Sequence, residues 1–125
     1  MRDNFIKNQM QFVEKDNIAI KEKGNIELID LNSIVKFESD KNYTNICLNG
    51  GRMIISSRTL NLFEKLLLDK KQFMRVNRSE IINLNHTIFD NSELQIAGKK
   101  HSIRISRRRG LAVAKRIVNF SKMNQ

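Results

Sequence analysis

The chain contains no proline and no tryptophan, and only one cysteine, one tyrosine and five glycines in 125 residues. With so few of the usual turn formers, its turns must rely heavily on Asn, Asp and Ser. The single thiol, Cys47, excludes an intramolecular disulfide framework and makes a reducing compartment such as the cytoplasm the simplest home. No apolar run approaches the roughly 18 residues needed for a membrane-spanning helix. An apolar signal segment is also missing, since Ile6, Met10 and Val13 are separated by polar residues. Enzyme chemistry has little to stand on. His86 and His101 lie apart, Cys47 sits in an apolar strand context, and no HExxH, CxxC or glycine-rich phosphate loop occurs. Glu38 and Asp40 have the spacing of a carboxylate pair but no matching base or metal shell, so no catalysis, metal or other cofactor is expected.

Acidic residues are absent from the last quarter of the chain. The formal net charge is +10, from 23 Lys and Arg against 13 Asp and Glu. Up to Glu93 the two signs nearly cancel, with 14 basic and 13 acidic residues, whereas nine basic residues and no acidic ones follow. Such asymmetry predicts one electropositive face suited to a polyanion, with binding that weakens as salt rises. Single-strand binders stack bases on several exposed aromatics. Here one Tyr and seven Phe, most of them at core positions, favour a duplex over single-stranded RNA.

What is present suffices for one folded domain, with apolar residues at 40% of the chain. Residues 1–17 read as an N-terminal extension or linker, within which Phe5, Gln9 and Phe12 recur at helical spacing. Residues 18–120 read as the domain and 121–125 as a tail. In "NIAIKEKGNIELI", Ile18 and Ile20 alternate with Ala19 and Lys21. A Gly24-Asn25 turn follows, and Ile26 and Leu28 continue the period, so a hairpin is predicted. "SIVKFES", "YTNICL" and "RMIISS" form a meander, with Asn49-Gly50-Gly51 as its strongest turn signal. The period then changes. Leu60, Phe63, Leu66 and Leu67 lie on one helical stripe ending near Asp69, with Ser57 or Thr59 as cap and Leu62 at the margin. Strands return at "QFMRV", "EIINL", "HTIFD", "ELQIA" and "HSIRIS", with turns at Asn91-Ser92 and Gly98-Lys99. A last helix is predicted over Arg108 to Phe120, capped by Ser106, with Leu111, Ala114, Ile117 and Val118 inward. The fold class is mainly β, an antiparallel multi-sheet domain with a central helix and a C-terminal helix.

Three stretches carry candidate chemistry. In "SIRISRRRG", Ile103 and Ile105 point one way along a strand and Arg104 the other, and Arg107, Arg108 and Arg109 occupy a helix start. That end of a helix is already positive, so three arginines there are locally unfavourable, and an incoming phosphate would relieve the conflict. Alternatively the run aids solubility, or one member folds back onto the sheet or pairs with Glu80. In "FMRVNRSEIIN", Phe73, Val76 and Ile81 read as core and Arg75 shares the side of Phe73. Asn77, Arg78 and Ser79 form a loop whose arginine and asparagine can fork onto guanine and adenine edges. The alternative has Asn77 and Ser79 capping local backbone. In "SDKNYTN", Lys41, Asn42, Tyr43 and Thr44 offer a charge, an amide and two hydroxyls between strands. Lys99 and Lys100 read as phosphate contacts.

The ordered set "IVKFES", "NYTNICL", "TLNLFEKLL", "FMRVNRSEIINLNHT" and "IRISRRRG" resembles the LytTR DNA-binding domain of bacterial transcription regulators. It covers roughly Ile18 to Phe120. The family phrase "RVHRS" reads "RVNRS" here, with Asn77 in place of His. The resemblance implies an elongated set of antiparallel sheets whose loops enter successive major grooves from one face of the duplex and bend it. It implies contacts from Asn42 to Thr44, from Arg78 beside Asn77, and from Arg107 with Arg108. It further implies two protomers on paired direct repeats, and a regulator of the response-regulator type found in two-component systems. Residues 1–17 are too short for the receiver domain that usually precedes this module. A fragment, or a stand-alone regulator controlled by a partner protein, dimer contacts or abundance, is therefore expected. The competing readings are a non-specific or RNA-binding basic module and a protein-interaction module on the same fold.

Overall fold

The computed structural model describes residues 5–6, 11–90, 93–97 and 102–123. Among them are eleven strands, a central helix and a C-terminal helix. The strands are β1 Phe5–Ile6, β2 Gln11–Glu14, β3 Asn17–Glu22, β4 Asn25–Asp30, β5 Ile34–Asp40, β6 Tyr43–Leu48, β7 Met53–Ser56, β8 Phe73–Asn77, β9 Glu80–Asn83, β10 Thr87–Asp90 and β11 Glu93–Ile96. The helices are α1 Leu60–Leu66 and α2 Gly110–Met123. The strands form three antiparallel sheets: a four-stranded one in the order β1-β2-β3-β4, a five-stranded one in the order β7-β6-β5-β9-β8, and the β10-β11 hairpin. The mainly β class with its two helices is as expected.

Short connections follow from local chemistry. Lys23 and Gly24 close the β3–β4 hairpin with φ of 49° and 82°, the mirror-image geometry that a two-residue turn between twisted strands requires. The turn is therefore one residue earlier than Gly24-Asn25. Gly50 and Gly51 bring β6 back into β7 with φ of 89° and 93°. Thr59 stands at the N-cap of α1 in an extended conformation, although its hydroxyl makes no capping bond.

The main core lies between the four-stranded sheet, α1 and one face of the five-stranded sheet. Ile18, Ile20, Ile29, Phe37, Ile46 and Phe63 are among its buried side chains. Phe37 is its hub, with ring centroids 5.1 Å from Phe63 and 5.8 Å from Phe73, close enough for favourable aromatic pairing. A second core forms on the opposite face of β8 and β9, where Met74, Val76 and Ile82 meet Leu94, Ile103 and Val113.

Four expectations are corrected. Helical spacing at the N-terminus is overridden by pairing, because Phe5–Ile6 and Gln11–Glu14 are strands of the four-stranded sheet. The rest of the stretch up to Met10 lies outside the described residues. On β4 the inward parity is that of Ile29, while Ile26 and Leu28 are exposed on the other face, opposite Lys21 and Ala19. "HSIRIS" is not a full strand. Ser102 makes one bridge to Gln95, and the chain then runs irregularly, with Ile103 buried and Arg104 exposed. In α2 the inward residue is Val113, 2% exposed, with Ile117 and Phe120 beside it. Leu111 and Val118 are 71% and 52% exposed, and Ala114 is exposed too. The turns expected at Asn91-Ser92 and Gly98-Lys99 lie outside the described residues.

Candidate nucleic-acid interface

Strand direction sorts the loops. In the five-stranded sheet all neighbours are antiparallel, so β5 ends where β6 begins, beside the start of β9 and the ends of β8 and β7. The β5–β6 turn, the β8–β9 turn and the β7–α1 connection consequently emerge at one end of the sheet. Ser39 N–H donates to the Ser79 carbonyl at 2.8 Å, which ties the first two together. The 104–106 segment joins the same end, because Ser106 N–H donates to the Val76 carbonyl at 2.9 Å. With neighbouring strands about 4.8 Å apart, these elements form a rim on the order of 24 Å long.

The candidate residues divide between this rim and the structure beneath it. Lys41 and Asn42 form the β5–β6 turn, both exposed, with Lys41 at φ 58°. Tyr43 follows at the start of β6 and is 53% exposed. Arg78 and Ser79 form the exposed β8–β9 turn. Arg104, Arg107 and Arg108 are exposed, and Arg109 is half-buried. Arg78, Ser79, Arg104, Ser106, Arg108 and Arg109 line one open cleft of about 680 Å³, with Glu38 and Glu80 in its wall. Lys99 and Lys100 lie outside the described residues.

Two candidates face inward instead. Thr44 is fully buried, and its hydroxyl donates to the Arg58 carbonyl at 2.7 Å. Asn77 is buried as well. Its Nδ2 donates to Glu80 Oε1 at 2.9 Å and to the Arg104 carbonyl at 2.6 Å, while its Oδ1 accepts from Ser79 N–H at 2.8 Å. Both amide hydrogens and the oxygen are thus engaged within the chain. Asn77 shapes the β8–β9 turn and ties it to the arginine segment, and Thr44 fixes the β7–α1 connection. Strand alternation could have placed Thr44, since Ile46 and Leu48 lie on the same side of β6.

Arginine partners separate the two populations most clearly. Arg52 forms a two-pronged bridge to Glu27 at 2.6 and 2.7 Å. Arg116 donates to the Phe73 carbonyl. Arg75 packs under the β8–β9 turn with only 11% of its side chain exposed, on the side of Phe73 as its alternation predicts. Its guanidinium donates to Asn61 Oδ1, Glu64 Oε1 and the carbonyls of Asn77 and Arg78. By contrast, the guanidinium groups of Arg58, Arg78, Arg104, Arg107, Arg108 and Arg109 have no hydrogen bond or ion pair among the described residues, and all six belong to the rim. Arg58 was not picked out by sequence reasoning. Its neighbours Ser57 and Thr59 read as helix caps, and nothing in "SSRTL" signals that the strand before it ends at the rim.

Glu80 and Glu38 share one lysine beneath the rim. Glu80 does not pair with an arginine of the 107–109 run but bonds Lys36 Nζ at 3.0 Å, and Glu38 lies 3.7 Å from the same ammonium. Burial pushes the Lys36 pKa down, but the hydrogen bond and charge of Glu80, with Glu38, outweigh this and leave it raised.

A family model, the LytTr DNA-binding domain, matches residues 24–117. The chain belongs to the LytTR DNA-binding domain family. Its general function, DNA binding in transcription regulation, follows from that membership. The LytTR domain is 34% and 32% identical over 71 residues to two proteins of Paraburkholderia xenovorans (strain LB400), the heme-containing CO-sensing transcriptional regulators RcoM 2 and RcoM 1. That match covers 57% of this chain and 26% of each relative, so the chain spans about a quarter of the length of the curated relatives it matches. Its fold is similar to that of the LytTr DNA-binding domain of a protein described as a methyl-accepting/DNA response regulator from Bacillus cereus. The TM-score is 0.64, at 19% identity, covering 83% of this chain and 98% of that one. Among the described residues no helix is long and apolar enough to cross a membrane.

Proposed function

We propose that this LytTR domain recognises specific double-stranded DNA sequences through the rim, two protomers occupying a paired direct repeat. The observation that carries the reading is the partition of the arginines: the occupied ones support the fold, and the unoccupied ones share one end of the sheet. Arg78, on a projecting turn, forks onto a guanine edge in the major groove. Lys41, Asn42 and Tyr43 enter from the neighbouring turn, with Ser79 beside them. Arg104, Arg107, Arg108 and Arg109 hold backbone phosphates and so set register rather than sequence, and Lys99 and Lys100 are read from their sequence alone as further phosphate contacts. Thr44 and Asn77 act from beneath as positioning residues.

Scale supports the geometry. The rim of about 24 Å, extended at both ends by arginine side chains, approaches the roughly 34 Å of one helical turn. Loops at its two halves can therefore address successive major grooves from one face, and bending would improve the fit of both. In a cytoplasmic response regulator, control would come from a receiver domain or partner protein acting on how two protomers are brought together.

Selection from a random duplex pool tests the proposal. It predicts a recurring paired motif, and a loss of preference of about 1–3 kcal/mol at one base position in Arg78→Ala. Equal affinity for selected duplex, random duplex and structured RNA at physiological salt would overturn it. Salt-independent behaviour with no nucleic-acid binding would instead support the protein-interaction reading.

A further inference from the structure

We infer that the β7–α1 connection is a fourth DNA-contacting element, in which Arg58 binds a backbone phosphate at the flank of the interface. The inference rests on the rim being the DNA-binding surface. Its own support is the way Arg58 is held.

Thr44 and Ser56 are opposite each other across β6 and β7, and both are fully buried at the end of the sheet. Buried hydroxyls are costly unless hydrogen-bonded, and apolar side chains would fill such positions without that requirement. Here both hydroxyls converge on one residue. Thr44 Oγ1 donates to the Arg58 carbonyl at 2.7 Å, and Arg58 N–H donates to Ser56 Oγ at 3.1 Å. The peptide groups on either side of the Arg58 Cα are thus both fixed by side chains from the sheet. Its guanidinium, however, has no bonded partner among the described residues. Arg58 is half-buried, and a backbone held at two points beneath an uncommitted guanidinium fixes where that cation stands on the rim.

Position identifies the ligand. Arg58 is at the outer end of the strand order, beyond the projecting β5–β6 turn and farthest from the arginine segment that follows β8. A residue at the edge of the row, set on a strand end rather than on a projecting turn, meets the sugar-phosphate backbone flanking the groove. Phosphate contacts contribute affinity and register but not sequence choice. Counterion release makes the contribution measurable: one phosphate contact adds about 0.9 to the slope of log affinity against log salt, equivalent to about fivefold at 0.15 M.

The test is Arg58→Ala in the full chain, bound to the selected duplex and to a random duplex of equal length across a salt series. The expected result is a loss of about fivefold for both duplexes at 0.15 M salt, a slope shallower by about 0.9 and an unchanged ratio between them. Arg58→Lys should retain the slope. In the positioning test, Thr44→Val should weaken binding in the wild-type background and have no effect on affinity once Arg58 is Ala. Lys71→Ala, at the opposite end of the sheet, should leave the slope unchanged. An unchanged slope in Arg58→Ala while Arg78→Ala loses its base preference would overturn this inference and leave the proposed function intact. A changed ratio between the two duplexes at constant slope would also overturn it. If the unaltered chain discriminates between no duplexes, the proposed function itself fails.

Discussion

Replacing Arg75 with methionine should disable sequence reading without removing any group that meets DNA. The guanidinium bonds Glu64 Oε1 at 2.8 Å and the Asn77 carbonyl at 3.2 Å in part-buried surroundings, and Asn61 Oδ1 at 2.5 Å and the Arg78 carbonyl at 2.6 Å nearer solvent. Water can replace the partner at the two exposed sites, so most of the loss falls on the other two. A charged hydrogen bond contributes roughly 1.5–3 kcal/mol, and a buried carbonyl left without a donor costs roughly 1–3 kcal/mol. Methionine recovers part of the packing through a similar stem, which leaves a net destabilisation of about 2–4 kcal/mol. For a domain of this size that is a melting-point decrease of roughly 8–15 °C. The assay pairs thermal melting with competition between the selected duplex and single-base variants, run well below the melting transition. Preference should weaken at the base read by Arg78, because the turn presenting it has lost its clamp to α1. A variant that melts within a degree of the unaltered protein and keeps its full base preference would refute the reasoning.

Other outcomes follow from the same contacts. Val113→Ala should cost about 1–3 kcal/mol in urea denaturation, whereas Leu111→Ala and Val118→Ala should stay within about 0.5 kcal/mol. The reverse order would mean α2 packs through its other apolar stripe. The Lys36 pKa is raised in the folded state, so its contribution is fully present below the unfolded lysine value and is lost as pH rises through the folded one. Urea midpoints measured at alkaline pH should therefore decline less steeply in Lys36→Met. Glu27 behaves oppositely. The hydrogen bond and then the charge of Arg52 lower its pKa against the opposing effect of burial, so its stabilisation is present above the unfolded carboxylate value and fades as pH falls through the folded one. Glu27→Gln should flatten the acid limb of the same measurement, and an unchanged limb would show that this surface bridge adds nothing measurable.

From β3 to β11 the strands and their order of occurrence were legible because alternation and short turns leave few alternatives, as in Phe37 with its neighbours on β5, whereas the alternation of "HSIRIS" yields only one bridge. Helix phase was legible in α1, where Leu60, Phe63, Leu66 and Leu67 are all buried as their spacing predicts, but not in α2. In α2, Leu111-Ala114-Val118 and Val113-Ile117-Phe120 are both apolar stripes at helical spacing, and only the second core decides between them. The N-terminal stretch failed for a related reason. Phe5, Gln9 and Phe12 match a helical period, but pairing of Phe12 with Ala19 on β3 determines the local structure. The candidate site was legible as charge and loop chemistry insofar as Arg78, Arg104 and the 107–109 run all stand at one end of the sheet. The inward turn of Asn77 and Thr44 was less accessible, because it depends on which loop lies above each residue. Arg58 was hidden altogether: its place at the rim comes from strand direction, a property of the assembled sheet rather than of the local sequence.

The most direct test of the rim is to titrate the isotopically labelled domain with its selected duplex and follow backbone and arginine side-chain resonances. Lys41 to Tyr43, Arg58, Arg78, Ser79, Arg104 and Arg107 to Arg109 should shift together and saturate at one protomer per half-site. Shifts concentrated at Asn49 to Gly51 and Lys70 to Gln72, with those groups unmoved, would contradict the account.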